Sequence, residues 1–307
     1  MSAKTLVVIL GATGTGKTSL SINLAKHFNT HIISADSRQL FKEMPIGSAA
    51  PDINQLNEVK HFFVGSHSVH NYYNAGRYEE DVLKILEEVY LKKNIAIMCG
   101  GSGMYIDAVC RGIDYMPEYN KNIRDELTAE YDANGLDALL EELKKVDSNY
   151  YHEVDKNNVQ RILRGLEVYR LTGKSYSEYR VQNQKERPFN ILKIGLHLDR
   201  ELLYDRINSR VDSMIQDGLE EEAKSLYPFR HLTPLKTIGY REWFEYFDGN
   251  ISREKAIELI KRNTRHYARR QITWFKRYDD INWFEPKFYE KIILFIKDNS
   301  DYSHKKP

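Results

Sequence analysis

The sequence predicts an α/β fold: a parallel β-sheet flanked by helices, with an inserted helical domain and a helical C-terminal part. Three observations carry this. Leu6 to Leu10 is an apolar run of strand length, followed by a glycine-rich loop and a helix-like stretch from Ser19 to Phe28. Further apolar runs then alternate with stretches of helical periodicity, as parallel strands joined by crossover helices do. Between Pro117 and Arg187 the strand signal stops and charged helical sequence takes over, until Ile191–Leu198 (ILKIGLHL) restores it.

The elements follow in order. Residues 5–10 read as the first strand and 17–28 as the first helix. His31 to Ser34 is a second strand, ending at Ala35-Asp36-Ser37, and Val59 to Val64 reads as another. Arg77 to Lys92 has helical spacing through Val82, Ile85, Leu86 and Val89. Ile95 to Cys99 is a short buried strand stopped by Gly100-Gly101, and Met104 to Cys110 begins a helix. Beyond Asp199 the chain reads as helical to Arg277, Trp283-Phe284 as a short strand, and the polar end, Asn299 to Pro307, is expected to fray. The division is therefore a core of residues 1–116 with 188–307, and a helical insertion at 117–187. Ligands of such sheets gather at the carboxyl ends of the strands. The loops Gly11–Thr18, Asp36–Gln39 and Gly100–Gly103 should therefore converge.

At 307 residues the chain is long enough for a large core, and its 41% hydrophobic and 29% charged residues suit a soluble globular protein. The net charge of +1 is uninformative by itself, but its distribution along the chain is uneven. Cys99 and Cys110 lack metal-ligand spacing and follow no signal peptide, so both are expected as reduced thiols. No apolar stretch approaches membrane-spanning length, and a cytoplasmic protein is expected.

Gly11-Ala12-Thr13-Gly14-Thr15-Gly16-Lys17-Thr18 matches G-x-x-x-x-G-K-[ST] without a mismatch, which makes the core P-loop NTPase-like. Its glycines let the backbone curl so that successive N–H groups face one anion, and the following helix adds its positive dipole end. Lys17 supplies a full charge for phosphate oxygens, and the Thr18 hydroxyl can ligate Mg²⁺. The motif specifies a phosphate chain, not its fate. Asp36, at the end of the second strand, is placed to bind an acceptor or take its proton, or else to cap a turn. Ser37, Arg38 and Gln39 follow it. Gly100–Gly103 offers backbone amides and the Ser102 hydroxyl, or is a plain βα turn. No carboxylate closes the Ile95–Cys99 strand, which counts against an ATP-hydrolysing motor.

Two basic stretches stand out. In Gln160-Arg161-Ile162-Leu163-Arg164 the two arginines are three apart and share a helix face, either a solvated face or part of a basic protrusion. Lys261 to Arg277 holds Lys261, Arg262, Arg265, Arg269, Arg270, Lys276 and Arg277 with no acid, interleaved with Tyr267, Trp274 and Phe275. Cations with aromatics suit a nucleic-acid backbone and its bases, and a salt-bridged structural helix is the other reading.

The blocks GATGTGKT (11–18), ADSRQLFK (35–42), IGSAAP (46–51), NAGRYEED (74–81), GGSGMY (100–105), NNVQRILRGLEVYRLTG (157–173), RVDSMIQDGLEEEAKSL (210–226), IGYREW (238–243) and ARRQITWFKR (268–277) stand in this order along most of the chain. In these blocks the sequence resembles the tRNA dimethylallyltransferases, also called tRNA isopentenyltransferases or the IPP transferase family. The resemblance implies transfer of a dimethylallyl group from dimethylallyl diphosphate to N6 of adenosine 37, in tRNAs reading codons that start with U. It implies that the P-loop grips the diphosphate of the prenyl donor with Mg²⁺, which accounts for the missing motor carboxylate. It makes Asp36, Lys17, Thr18, Ser102 and Arg210 catalytic: Asp36 accepts the N6 proton, and Arg210 and Ser102 contact the diphosphate. It assigns tRNA contacts to Asp36, Ser37, Arg38, Gln39, Ser102, Arg124, Gln160, Arg161, Ile162, Leu163, Arg164, Lys236, Gly239, Tyr240 and Arg241. The insertion then grasps the anticodon stem-loop, and the chain is expected to act as a monomer.

Some positions depart from the family's usual pattern. Ser102 and Ser48 stand where threonine is usual, Arg38 for methionine, Phe41 for tyrosine, Ala50 for lysine, and Lys156 where a proline often precedes Asn157-Asn158. Two other functions fit parts of the pattern. An adenylate isopentenyltransferase acting on free nucleotides leaves the basic insertion without a use. A small-molecule P-loop kinase leaves the Lys261–Arg277 stripe without one.

Overall fold

The computed structural model describes residues 4–181 and 184–301. The chain divides into two compact units, one from the residues up to Arg111 with those from Glu186 onward, the other Gly112–Lys185. The first unit begins with β1 (Thr5–Gly11), α1 (Lys17–His27), β2 (Ile32–Ala35), α2 (Ile53–Glu58), β3 (His61–Phe62), α3 (Ala75–Tyr90), β4 (Ile95–Gly100) and α4 (Gly103–Arg111). The second unit contains α5 (Lys121–Val146), α6 (Ser148–Glu153), α7 (Val159–Thr172) and α8 (Tyr176–Tyr179). The first unit resumes with β5 (Asn190–Leu196), α9 (Arg200–Gln216), α10 (Leu219–Leu226), α11 (Tyr240–Phe247), α12 (Arg253–Phe275), β6 (Ile281–Phe284) and α13 (Tyr289–Asp301).

The six strands form one parallel sheet in the order β3-β2-β4-β1-β5-β6. β1 lies between β4 and β5, pairing Thr5 with Ile95 on one side and with Asn190 on the other. A central strand covered on both faces needs apolar side chains at every position, and Leu6, Val7, Val8 and Ile9 are all fully buried. Successive side chains point to opposite faces. Val7 and Ile9 therefore share a cluster with Ile97 of β4, Ile194 of β5 and Leu20 and Leu24 of α1.

Three features differ from the expectation. The cluster under β1 is completed by Ile292, Ile293 and Ile296 of α13, a helix the sequence reading did not foresee. The strand expected over Val59–Val64 shrinks to His61–Phe62, because Phe63 turns to a left-handed φ of 61° and leaves the ladder. The long helical stretch after Asp199 is four helices, interrupted between α10 and α11 by short 3₁₀ turns carrying Pro228 and Pro234. Of the polar end expected to fray, residues 302–307 lie outside the described residues. Among the described residues no helix is long and apolar enough to cross a membrane.

The second unit has its own core of Leu127, Leu139 and Leu143 from α5, Tyr150 from α6, and Ile162, Leu163 and Leu166 from α7. α5 breaks at Gly135, where φ is 78°. The two parts of α5 are tied to α7 by Arg170, whose guanidinium donates to Glu130 at 2.7 Å and to Glu142 at 2.6 Å. Such two-pronged guanidinium–carboxylate pairs fix orientation as well as distance.

Candidate functional site

The loop after β1 curls because Gly14 and Gly16 take φ of 84° and 92°, a region closed to most side chains. Its hub is the Ala12 carbonyl, which accepts from Thr15 Oγ1 at 2.8 Å and from Lys17 Nζ at 2.8 Å. Burial of the ammonium lowers the Lys17 pKa to about 8; Arg210 adds to the shift, while Cys99 and Asp36 oppose it. A cation in such a partly desolvated wall interacts more strongly with an incoming anion than one in open water does.

Asp36 follows β2. Its Oδ1 accepts from the Arg38 amide at 2.8 Å and the Gln39 amide at 3.3 Å, an Asx turn that orders Ser37–Gln39. Among the described residues nothing bonds its Oδ2. Ser102, after β4, is tied to this turn: its Oγ accepts from the Ser37 amide at 2.9 Å and donates to Ser37 Oγ at 3.2 Å. The Ser102 amide donates to the Ala35 carbonyl at 3.1 Å, so it is engaged by protein rather than offered to a ligand. The glycines beside it serve close packing. A Cβ on Gly101 would stand 2.2 Å from Gln271 Nε2, and one on Gly103 would stand 2.2 Å from Trp274 Nε1.

Arg210 reaches in from α9. It donates to the Ala49 carbonyl at 3.0 Å and lies 3.5 Å from Thr13 Oγ1. Burial lowers its pKa, with Asp36 opposing. Ala49 has a left-handed φ of 51°, and its carbonyl also accepts from Gln39 Nε2 at 3.0 Å. This strained turn is held from behind by Glu222 of α10, which accepts from the Ile46 amide at 2.9 Å, the Gly47 amide at 2.8 Å and the Tyr240 hydroxyl at 2.6 Å.

The three loops therefore meet around one cavity of ≈ 260 Å³. One part of its wall is polar and cationic, with Thr13, Lys17, Thr18, Asp36, Arg38 and Arg210. The rest is apolar, with Met44, Ile207, Val211, Met214, Leu219 and Ile260. Thr18 and Asp36 offer oxygens of the kind Mg²⁺ takes, but among the described residues no group of three or more His, Cys, Asp or Glu could hold a metal. The residues fit an ion carried mainly by phosphate oxygens rather than a protein cage.

Of the residues singled out from sequence, Thr13, Lys17, Thr18, Asp36, Ser37, Arg38, Gln39, Arg210 and Gly239 line this cavity. Gly11, Ala12, Gly14, Thr15 and Gly16 shape the loop, and Ser102 braces the Asp36 turn. Lys236 and Arg241 are exposed. Tyr240 is not: its side chain is fully buried and its hydroxyl is spent on Glu222. In the second unit Gln160 and Arg161 are exposed. Ile162 and Leu163 are turned by α7 into that unit's core, at 0% and 2% exposure. Arg164 donates to buried Glu167 at 2.7 Å and to the Pro117 carbonyl at 2.5 Å. Arg124 donates to the same Glu167 at 3.3 Å and to Gln160 at 2.5 Å.

The sequence reading missed Gln271, Tyr267 and Glu222. Tyr267, read as an interleaved stacking aromatic, is half-buried and lines the cavity with its hydroxyl facing Ser102 and Asp36, and desolvation pushes its phenol up to about 12. Tyr267 and Gln271 are four apart, one face of α12, in phase with buried Ile260 and Phe275. The opposite face borders an open groove of ≈ 550 Å³ lined by His266, Arg269, Arg270, Thr273, Trp274 and Arg277. There the Arg277 guanidinium lies 4.0 Å over the Trp274 ring. The cationic stripe thus divides: Lys261 pairs with Asp212 at 2.5 Å and Arg265 with Asn208 at 2.6 Å, leaving the later arginines to the groove.

A protein-family model described as IPP transferase matches residues 39–278. The chain is 51% identical to tRNA dimethylallyltransferase 2 of Parabacteroides distasonis, over 95% of this chain and 97% of that protein. It is 52% identical to tRNA dimethylallyltransferase 1 of Porphyromonas gingivalis, with the same coverage. The solved tRNA isopentenylpyrophosphate transferase of Bacillus halodurans superposes with a TM-score of 0.73 at 33% identity, covering 98% of each chain. A eukaryotic dimethylallyltransferase acting on tRNA superposes with a TM-score of 0.79 at 25% identity, covering 99% of this chain and 81% of that one.

Proposed function

The chain belongs to the IPP transferase family, and from that premise we propose that it transfers a dimethylallyl group from dimethylallyl diphosphate to N6 of adenosine 37 in tRNAs reading codons that start with U. The products are N6-dimethylallyladenosine and diphosphate. One observation carries the reading: a single cavity whose wall is cationic and hydroxylic in one part and apolar in the rest. A prenyl diphosphate has the same two characters, a charged head on a short hydrocarbon tail.

The exocyclic amine is a weak nucleophile, so the allylic carbon gains positive charge as its bond to the diphosphate oxygen breaks. Lys17, Arg210 and the loop amides stabilise the negative charge that collects on the leaving diphosphate. The Thr18 hydroxyl would help hold a Mg²⁺ ion, which would supply further electrostatic stabilisation of the leaving group. The apolar wall holds the tail and keeps water from the carbocation-like carbon. As the N6–carbon bond forms, Asp36 accepts the N6 proton through the oxygen that its turn leaves unbonded. Ser102 and Ser37 keep that turn in place.

A base stacked in a loop cannot reach such a cavity, so the adenine is flipped out. The helical unit grasps the anticodon stem-loop, with Gln160 and Arg161 as its contacts; Arg124 and Arg164 are held against Glu167 and shape that face. Lys236, Arg241 and the Arg269–Arg270–Arg277 groove carry RNA phosphates. The protein is proposed to act as a monomer.

The test supplies carbon-labelled dimethylallyl diphosphate, Mg²⁺ and unmodified tRNA, with AMP in place of tRNA and ATP in place of the donor in parallel. Label is expected at adenosine 37 and not in AMP. Label in AMP, or phosphate moving from ATP with no prenyl transfer, would overturn the reading. Asp36→Ala is expected to lower turnover by about 10²–10⁴-fold with tRNA binding kept, and unchanged turnover would remove Asp36 as the base.

A further inference from the structure

Gln271 is buried at 5% exposure and spends both ends of its carboxamide on main chain. Its Oε1 accepts from the Thr13 amide of the P-loop at 2.8 Å, and its Nε2 donates to the Gly101 carbonyl at 2.9 Å. We propose that Gln271 is a positioning residue for the diphosphate: it locks the P-loop to the loop after β4 and so sets the anion-binding edge of the cavity. The proposal rests on the prenyl-diphosphate reading of that cavity.

The chemistry of the contact is demanding. One planar group must accept on one side and donate on the other, at this reach, and among the side chains a glutamine does so. A carboxylate cannot donate to Gly101, and an apolar isostere leaves two buried main-chain groups unpaired. Both partners are loop backbone, so the bonds act on loop position rather than on helix packing. The loop after β4 accepts the amide at van der Waals contact only because residue 101 is glycine.

There is a direct consequence for the ligand. The Thr13 amide is committed to Gln271 and the Thr15 amide donates to the Ala12 carbonyl at 3.3 Å, so the diphosphate is left to the remaining amides of the loop. With its amide fixed, Thr13 presents its hydroxyl toward Arg210, 3.5 Å away. Losing the carboxamide frees that amide to rotate, and Arg210 loses its neighbour on the P-loop side. Trp274, one turn further along α12, packs on Gly103, so the helix grips the same loop twice.

The experiment uses the full chain and inorganic pyrophosphate as probe. Gln271→Met, Gln271→Glu and Gly101→Ala are compared with wild type for pyrophosphate binding by calorimetry, tRNA binding by filter retention, KM for the prenyl donor, and melting temperature. Gln271→Met should weaken pyrophosphate binding about tenfold and raise the donor KM in parallel, with tRNA affinity within about twofold. Gln271→Glu should be worse, since it adds a negative charge beside the diphosphate. Gly101→Ala, which displaces the carboxamide from a neighbouring position, should reproduce the methionine variant, and the double variant should be no worse than the more affected single. Unchanged pyrophosphate affinity with a lowered melting temperature would reduce Gln271 to a packing residue and overturn the proposal. So would a loss confined to tRNA binding. A wild-type chain that binds pyrophosphate yet transfers no prenyl group would overturn the functional reading alone, and the variants would still decide the role of Gln271.

Discussion

Two loops at the head of the sheet are rich in glycine for opposite reasons. After β1, Gly14 and Gly16 sit at φ of 84° and 92°: the backbone takes a shape that side chains resist, and the proposed diphosphate site depends on that curl. After β4, Gly100, Gly101 and Gly103 have ordinary φ but no room: a Cβ would stand 2.1 Å from the Ala35 carbonyl, 2.2 Å from Gln271 and 2.2 Å from Trp274 respectively. One loop is glycine-rich to bind, the other to be packed against. The second serves the first, because what packs on it also holds the P-loop.

The difference can be broken at its charged end first. Lys17→Met should lower single-turnover prenyl transfer by about 10²–10³-fold, as loss of a preorganised charge partner for the leaving group does. The fold should persist, because a buried ammonium is exchanged for an apolar chain. A fall under tenfold would take Lys17 out of the transition state. The glycines come next. Gly16→Ala places a side chain at φ 92° and should weaken pyrophosphate binding by about tenfold or more, through strain of about 1–3 kcal/mol. Gly103→Ala should instead lower stability by about 1–3 kcal/mol through overpacking against Trp274, seen as a shifted urea midpoint, with pyrophosphate binding nearly unchanged. If the two variants swap phenotypes, the distinction between the loops is wrong.

The smallest expected effect is on pH. With the Lys17 pKa lowered from 10.5 to about 8, its charge is complete only below that value. Pyrophosphate affinity measured by calorimetry should be flat at lower pH and decline as pH rises through about 8, and a flat profile to pH 10 would refute it. Stability moves the other way. Between about 8 and 10.5 the unfolded lysine still binds a proton that the folded one has lost, so this group adds stability as pH rises across that window.

The sheet was legible in the sequence because β1 and β4 are covered on both faces and so are written as unbroken apolar runs. α13 was not, because its apolar residues stand in one five-residue run, Ile292–Ile296 (IILFI), too short to show a helical period beyond what looked like the last strand. The P-loop and Asp36 were legible as chemistry, and the cavity brings them together. What the sequence could not supply was helical phase. In α7, neighbouring residues of one motif divide into exposed Gln160 and Arg161 and buried Ile162 and Leu163. In α12, Gln271 and Tyr267 read as parts of a cationic stripe until packing shows which face meets the sheet. Glu222 was invisible for another reason: two of its three partners are main-chain amides, whose positions leave no mark on residue identity.

The helical unit begins at Gly112 and ends at Lys185, and the Lys185 side chain passes 2.6 Å from where a Gly112 Cβ would stand. Its two ends are neighbours. A segment that leaves and returns through one doorway makes no demand on strand order, so it can be shortened, enlarged or exchanged with the sheet left closed behind it. The helical unit is in this sense a cartridge, and a lineage, or an engineer, can change it without rebuilding the loops at the head of the sheet.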